Sequence, residues 1–212
     1  MPISSLSRFT VPLPNGVGNE TQGLLMPKLP YRFRVRLINF GVGGEPSTEL
    51  TKQVMNVERP KPEFDEIKLD VYNSVVKLAG KHKFNDIKLV VRDDMTNIVT
   101  NKVGQQMQKQ FDFFEQSSAT SGLDYKFTTL IEILDGGNGA YQPIVLEAFE
   151  VQGCWLKSVG YSQGDYSKST EAMTIEMSIC YDNALQVDGA GGLIGLGGPL
   201  NEKTRSTSSV GS

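Results

Sequence analysis

Residues whose types could carry out chemistry are few and widely spaced in this sequence. The only histidine, His82, is flanked by Lys81 and Lys83, and the two cysteines are Cys154 and Cys180. A metal site needs several ligands at recognisable spacings, and a nucleophile needs a base in a known arrangement. None of these residues meets either condition. We therefore predict no catalytic residue, no metal site and no cofactor, and we expect His82 to be structural.

Two glycine-rich stretches invite a phosphate-loop interpretation. The first, GGNGAY at residues 136–141, lacks the Lys-Ser/Thr ending of a P-loop, and no helix is predicted after it. The second, at residues 189–198, lacks the G-x-G-x-x-G spacing and no βαβ unit surrounds it. We predict that the first stretch is a hairpin loop and that the second belongs to a tail.

The composition limits the class of protein further. The 212 residues include 24 acidic and 21 basic side chains, a net charge of −3, and 39% are hydrophobic. This length suffices for one domain with a sizeable core, and the charge argues against a nucleic-acid-binding protein. No apolar run approaches the ~18 residues of a membrane span. The first residues lack the apolar core of a secretory signal, so we expect folding in the cytoplasm, with reduced cysteines.

The clearest structural pattern is strict alternation near the end of the globular part. Residues 173–181 place Met, Ile and Tyr on one side and Thr, Glu, Ser and Cys on the other, which is the period of a half-buried strand. Residues 149–157 alternate more weakly, with Val151 and Trp155 opposite Cys154. We predict two antiparallel strands joined by a long loop. On this pattern Cys154 and Cys180 could share a face, but we expect free thiols.

A further strand is predicted at residues 31–40, where Arg32, Arg34 and Arg36 alternate with aromatic and aliphatic residues. This row of arginines could contact phosphates, or it could be a solvated or ion-paired sheet face, and we expect the latter. Residues 53–62 are predicted to begin as a strand that Pro60 and Pro62 stop. Additional strands are predicted in residues 63–71, 75–79, 81–91, 123–134 and 144–157.

One segment has a helical period. Five apolar residues recur at spacings of four, four, four and three, and they are Val99, Val103, Met107, Phe111 and Phe114. Thr96 or Asn97 could cap the start of this helix, and polar residues such as Gln105 and Gln106 should cover its far side. The stripe could be a docking face for a partner, but packing on a sheet is the expected use.

These elements predict a mainly β fold: an antiparallel β-barrel or sandwich with one amphipathic α-helix packed on its side. We expect three regions: a proline-rich N-terminal arm at 1–30, a domain at 31–182, and a glycine-rich C-terminal tail at 183–212. Neither end can form a packed core, so we expect neighbouring subunits to order them. Apolar anchors for such assembly contacts are predicted at Leu24, Leu25, Leu193, Ile194 and Leu196.

Several segments resemble a known family. The pattern Gly153-x-Trp155-x-x-Ser158-Val159-Gly160, then Asp165, residues 171–176 (EAMTIE) and Tyr181-Asp182 is similar to the C-terminal hairpin of contractile-phage tail tube proteins. Residues 83–87 (KFNDI), followed by Leu89 and Val91, resemble the strand before that family's helix. Together with the aromatic-led strand at Tyr31, the resemblance covers roughly residues 30–182.

The resemblance implies a virion protein that is assembled in the host cytoplasm. Tail tube proteins stack as homo-hexameric rings around a lumen that holds the tape measure protein and later passes DNA without sequence-specific binding. Their other partners are the tail sheath, baseplate and tail terminator proteins. A tube component of a type VI secretion or other contractile injection system shares the fold and stays open as an alternative. A monomeric enzyme or small-molecule binder is the third. The long arm and the tail depart from the family pattern.

Overall fold

The computed structural model describes residues 27–43, 48–137, 143–167, 170–189 and 191–194. The chain divides into two compact units, Met1–Arg32 and Phe33–Ser212. In the described part of the first unit, the backbone N–H of Arg32 donates a hydrogen bond to the Leu29 carbonyl at 3.2 Å. The guanidinium of Arg32 lies 5.5 Å from the centre of the Tyr31 ring.

All helices and strands of the described residues belong to the second unit. In chain order they are β1 (Phe33–Ile38), α1 (Thr48–Gln53), β2 (Val54–Val57), β3 (Pro62–Val71), β4 (Ser74–Phe84), β5 (Ile87–Arg92), α2 (Ile98–Gln110), β6 (Phe111–Asp112), β7 (Ser117–Ser118), α3 (Gly122–Tyr125), β8 (Phe127–Leu134), β9 (Val145–Tyr161), β10 (Thr174–Cys180) and β11 (Asn183–Asp188). No helix among the described residues is long and apolar enough to cross a membrane.

The main sheet has the order β1-β8-β9-β10-β5-β2, and β11 also pairs with β9. Every pairing in it is antiparallel. The sheet folds over a shared core without closing, and α2 packs against that core. The prediction of a mainly antiparallel β fold with a helix is therefore confirmed, in the form of a sandwich.

Strand β9 holds the two halves of the sandwich together. One of its edges pairs with β8 over Val145–Cys154. Its other edge pairs first with β11 over Glu147–Gln152 and then with β10 over Trp155–Tyr161. The change of partner falls at Gly153, whose φ of 70° is one that side chains of L-residues rarely adopt. A glycine at this point lets one long strand bend from one half of the sandwich into the other.

The bend at Gly153 reverses the predicted sides of the residues after it. Cys154 is fully buried, whereas the sequence alternation placed Trp155 inside and Cys154 on the polar side. Cys180 lies directly opposite Trp155, so the two cysteines lie on opposite faces of the sheet. The interpretation that the two cysteines could share a face is wrong, because the alternation of polar and apolar residues in the sequence does not show at which residue the strand bends.

The core is formed by the inward sides of the sheet and by α2. Ile175, Met177 and Ile179 of β10 are buried as their alternation predicts. The rings of Phe40 and Phe127 meet at 88° with their centres 5.0 Å apart. Fully burying one such aliphatic or aromatic side chain contributes ~1.5–3 kcal/mol. The remaining buried hydrophobic residues of the cluster are Val35, Leu37, Leu50, Ile87, Leu89, Val91, Val99, Val103, Ile131, Val151, Cys154, Leu156 and Tyr181.

Helix α2 is shorter than its apolar stripe predicts. Val99 and Val103 are buried against the sheet, but the helix ends at Gln110, and Phe111 is extended with φ −153° and ψ 123°. Phe114 lies beyond the helix and is 93% exposed. The end is fixed by a nonlocal contact: the Gln110 side chain donates to the Leu156 carbonyl at 2.9 Å and accepts from its N–H at 2.8 Å. These two bonds resemble those between paired strands. A helical sequence period reports only on neighbouring residues, so it could not predict them.

Two further details of α2 differ from the sequence analysis. Asn97 is the N-cap residue in a left-handed conformation, and its side chain makes no capping bond. Instead, Asp94 Oδ1 accepts from the N–H of Val99 at 3.4 Å. Gln106, expected on the far side, is fully buried, where it accepts from the N–H of Gly41 at 3.0 Å and donates to the Tyr125 carbonyl at 2.6 Å. It thus connects α2 to the loop after β1 and to the end of α3.

The chain also differs from the predicted order of strands. A six-residue helix, α1, precedes the predicted strand at residues 53–62 and includes only its first residue, Gln53. Strand β2 begins at Val54 and ends at Val57, before Pro60. The predicted short strands at 63–71 and 75–79 form one long hairpin, β3–β4. Strand β11 falls within the segment assigned to the tail, because β9 offers it an unpaired edge. Leu134 of β8 pairs with Val145 of β9, so these two strands form a hairpin, and residues 138–142 of the predicted hairpin loop lie outside the described residues.

Candidate assembly surfaces

The residues considered for chemistry do not converge in the structure. His82 lies on β4 between two aromatic rings, with the centre of its ring 6.3 Å from that of Phe64 and 5.5 Å from that of Phe84. Within the described ranges, no group of three or more His, Cys, Asp or Glu side chains could hold a metal ion. His82 is exposed, and the two neighbouring rings belong to the same β3–β4 hairpin.

An open cleft of about 1250 Å³ lies beside the β9–β10 loop. Its lining includes Met55, Arg92, Asp165 and Glu171. Hydrogen bonds from Ser167 lower the pKa of the Asp165 carboxyl, so this group is ionised at neutral pH. A general base requires a carboxyl whose pKa is raised towards neutrality, and Asp165 has the opposite shift.

Two of the three arginines of the predicted row, Arg34 and Arg36 of β1, are ion-paired. Glu132 of β8 lies directly opposite Arg34, and its side chain is only 5% exposed. One carboxylate oxygen accepts from Arg34 Nε and the other from Arg36 Nη2, each at 2.5 Å. Charge-assisted bonds of this kind hold both guanidinium groups against the sheet. Of the two interpretations of the arginine row, the ion-paired sheet face is the one that the geometry supports.

The hairpin β3–β4 forms a separate two-stranded sheet. The register pairs Ile67 with Leu78 and Leu69 with Val76, and side chains directly opposite each other share a face. With Val71 they form one apolar side, whose five members are between 44% and 52% exposed. We call these five residues the hairpin apolar face. A two-stranded hairpin is marginally stable alone in water, and its stability rises when an apolar face is covered.

The opposite side of the same hairpin is polar. Glu66 pairs with Lys77 at 2.9 Å, and near the base Lys83 pairs with Asp65 at 3.2 Å. Within residues 62–84 four lysines balance four carboxylates. The hairpin therefore has no net charge to attract a charged partner, and its distinguishing feature is the apolar face.

A second exposed apolar site follows α2. Strands β6 and β7 form a minimal hairpin whose turn includes Phe113 and Phe114. Phe113 packs its ring 5.6 Å from that of Phe111, whereas Phe114 is almost fully exposed. An aromatic ring exposed at a turn has a large area available for contact with another molecule.

The corner between β10 and β11 is fixed by an acidic residue. The Asp182 carboxylate lies against Gly153 and accepts from Lys126 Nζ at 2.5 Å. This hydrogen bond raises the pKa of the Lys126 ammonium. The glycine and the closing Tyr-Asp of the resemblance pattern thus meet in space, at the point where β9 changes partners.

The two cysteines are free thiols. Burial raises the pKa of the Cys154 thiol to about 11, and its sulfur donates to the Val151 carbonyl at 3.3 Å. Burial also raises the pKa of Cys180, which is only partly covered. Both side chains therefore remain protonated at neutral pH.

The predicted assembly anchors fall into two groups. Leu24, Leu25 and Leu196 lie outside the described residues. Leu193 forms a bridge with Val187 of β11, and the N–H of Ile194 donates to the Gln186 carbonyl at 2.9 Å. Ile194 is exposed, so its side chain is free to contact another molecule, and the role of all five in assembly stays a prediction.

The class of protein that this fold defines is an antiparallel β-sandwich with one helix on its side. Chains of contractile injection particles have the same fold. A chain of the anti-feeding prophage cap, the AFP tube terminating cap, matches with a TM-score of 0.56 at 15% identity, over 78% of this chain and 94% of that chain.

Two further solved structures are similar. A chain of the PVC sheath-tube complex of an extracellular contractile injection system matches with a TM-score of 0.54 at 17% identity, over 76% of this chain and 92% of that one. A chain of the AFP baseplate matches with a TM-score of 0.54 at 11% identity, over 78% of this chain and 99% of that chain. No protein-family model and no curated sequence matches the chain. The resemblance to tail-tube-like proteins is confirmed at the level of the fold.

Proposed function

We propose that this protein is a structural subunit of the inner tube of a contractile phage tail. The observation that carries the proposal is the shared fold, which covers at least 92% of each of the three solved chains described above. Almost the whole of each of those chains is therefore represented in this one. The described residues do not bring together a group of side chains that resembles a catalytic or metal site, and this fits a building block better than an enzyme.

In this role, subunits form homo-hexameric rings that stack into a tube. The tube houses the tape measure protein, contacts the tail sheath, and is bounded by the baseplate and tail terminator proteins. During ejection DNA passes through it without sequence-specific binding. The balanced charge of the chain suits such a conduit, because a strongly basic wall would retain the phosphates.

A second candidate is a tube or tube-terminating component of a contractile injection system that carries no DNA. This candidate is favoured by the assemblies to which the similar chains belong, which are a cap, a sheath-tube complex and a baseplate. The genes beside this one distinguish the candidates: capsid and sheath genes indicate a phage, whereas sheath and toxin genes without capsid genes indicate an injection system.

Sedimentation and negative-stain microscopy of the purified full chain test the proposal. We expect hollow tubes that lengthen with protein concentration. Single rings that never stack would indicate a terminating component instead. A strictly monomeric protein at high concentration would contradict both candidates and favour an enzyme or a small-molecule binder.

A further inference from the structure

We propose that the side chain of Gln110 is an edge cap: it occupies the pairing groups at the start of an unpaired edge of β9, and so prevents strands of other molecules from adding there. The inference concerns the single subunit and does not depend on the proposed function. It assigns a protective role to a contact between residues that are 46 positions apart in the chain.

Beyond Cys154, one edge of β9 has no partner strand among the described residues. Strand β8 pairs with this edge only as far as Cys154, because β8 begins at Phe127. On the opposite edge, β10 continues to pair from Trp155 to Tyr161. Strand β9 therefore extends past the start of β8 and leaves one edge unpaired over residues 155–161. We call this stretch the open edge.

One hydrogen bond shows which backbone groups point to the open edge. The N–H of Ser162 donates to the Thr174 carbonyl at 3.0 Å, so the backbone groups of Ser162 point towards β10. Backbone groups alternate in direction along a strand, so those of Tyr161 and Val159 point away from β10, to the open edge. Unpaired groups in a row of this kind are a template for pairing with another chain.

Gln110 closes the open edge at Leu156. Its side-chain amide donates to the Leu156 carbonyl at 2.9 Å and accepts from the Leu156 N–H at 2.8 Å. Two bonds of this kind to one residue are those that a partner residue makes in a hydrogen-bonded antiparallel pair. A strand that added to the open edge beside Leu156 would need the same two groups, so it would have to displace the amide.

The remainder of the open edge is accessible. Tyr161 is exposed, and it borders an open groove of about 600 Å³ whose lining also includes Gly104 and Gln108 of α2. Helix α2 thus leaves space beside Tyr161, where an extended chain would meet the unpaired groups. Each backbone hydrogen bond contributes only modestly to such pairing. By holding Leu156, Gln110 withholds two of the few bonds that an added strand could form.

Gln110→Leu tests the cap, because it keeps a side chain of similar size and removes both hydrogen bonds. Val99→Ala is the matched control: it destabilises the same helix by leaving a cavity in the core, and it retains Gln110. Urea unfolding of both variants identifies conditions in which equal fractions of each are unfolded. Light scattering and thioflavin T binding then report association, at concentrations below that at which the wild type associates.

At equal fractions of unfolded protein, we expect Q110L to associate at a concentration at least about tenfold lower than V99A, which corresponds to ~1.4 kcal/mol. Adding Tyr161→Pro to Q110L should restore the concentration seen for V99A, because proline removes an N–H of the open edge and is tolerated in edge strands. If Q110L and V99A associate at the same concentration, the cap is refuted. If Q110L/Y161P associates as readily as Q110L, association does not use the open edge and the inference is overturned.

A measurement on the wild type decides the matter if Q110L does not fold. Amide hydrogen exchange compares the N–H of Leu156 with those of Val159 and Tyr161 in the same strand. We expect the Leu156 N–H to exchange at least about tenfold more slowly, because Gln110 accepts from it, whereas the other two have no partner strand. Equal exchange rates for all three would show that the Gln110 amide does not hold the edge, and this result would overturn the inference.

Discussion

The carboxylate of Asp182 occupies the space that a side chain at position 153 would need. A Cβ built on Gly153 would lie 2.2 Å from Asp182 Oδ2 and 2.7 Å from its Cγ. The backbone φ of Gly153 is 70°, so both the space and the conformation require glycine. This contact explains why the strand bend and the β10–β11 corner must be made by these two residues together.

We therefore expect Gly153→Ala to lower the free energy of unfolding by ~1–3 kcal/mol, because the variant has both an unfavourable φ and a clash. Urea unfolding of the dilute subunit measures this. Gly164→Ala is the matched control, since a Cβ there would meet no atom within 4 Å, and its effect should be small. In an Asp182→Ala background the cost of G153A should fall, because the contacts with Oδ2 and Cγ are removed and only the contact with the Cβ of residue 182, at 3.0 Å, and the conformational cost remain. If G153A lowers the free energy of unfolding equally in both backgrounds, the contact with the Asp182 carboxylate does not contribute to its cost.

Removing the charge of Glu132 should destabilise the fold. Glu132→Gln retains the shape of the side chain but loses two charge-assisted bonds to Arg34 and Arg36, which are worth ~1–3 kcal/mol together because both cations stay partly hydrated. Thermal or urea unfolding gives the difference. The control is Glu176→Gln, whose carboxylate is 3.6 Å from Lys88 on an exposed surface, and its effect should be ~0–1 kcal/mol. Equal effects of the two substitutions would contradict the structural importance of the Glu132 pairs.

The two thiols should differ in reactivity. In the native subunit at pH 8 a thiol reagent should modify Cys180 first, because Cys154 is fully buried and its pKa lies at about 11. Denatured protein should release two reactive thiols per chain. Fewer than two would reveal a disulfide, which the present arrangement does not contain.

The raised pKa of Cys154 also predicts a dependence on pH. The unfolded chain loses this proton near pH 9, whereas the folded chain keeps it up to about pH 11. The thiol's contribution to the free energy of unfolding is therefore fully present below pH 9 and is lost as the pH rises to about 11, by at most roughly 3 kcal/mol. The stability advantage of the wild type over Cys154→Ala should shrink in this window. An advantage that stays constant from pH 8 to 11 would contradict the assignment.

Two truncations distinguish the sheet strand from the rest of the C-terminal segment. Removing residues 183–212 deletes β11 and exposes the β9 edge over Glu147–Gln152, so the free energy of unfolding should fall by several times RT. Removing only residues 195–212 should leave the subunit about as stable as the full chain, because this glycine-rich composition cannot form a core. We expect both truncations, and removal of residues 1–30, to impair polymerisation. Normal long tubes after these deletions would refute the predicted role of the ends.

The sequence by itself determined the local periods. Strict alternation identified β1, β8 and β10 because a sheet with one buried face imposes a period of two. The four-residue spacing of Val99 and Val103 identified the buried stripe of α2 for the equivalent reason in a helix. The absence of short, regular ligand spacings pointed away from a metal-dependent or catalytic site, and the order of the motifs pointed to the fold.

Only the tertiary structure decided what depends on residues far apart in the chain. Glu132 is buried because two arginines about a hundred positions away neutralise it. Helix α2 ends at Gln110 because Leu156 binds its side chain. The faces of β9 reverse at Gly153 because its φ is 70°, and the Asp182 carboxylate occupies the space where a side chain would lie. The alternation of residues 63–71 predicted a strand, but alternation does not reveal whether an apolar face is covered. That depends on which elements lie beside it, and in this chain the hairpin apolar face lies beyond the sheet that could have covered it.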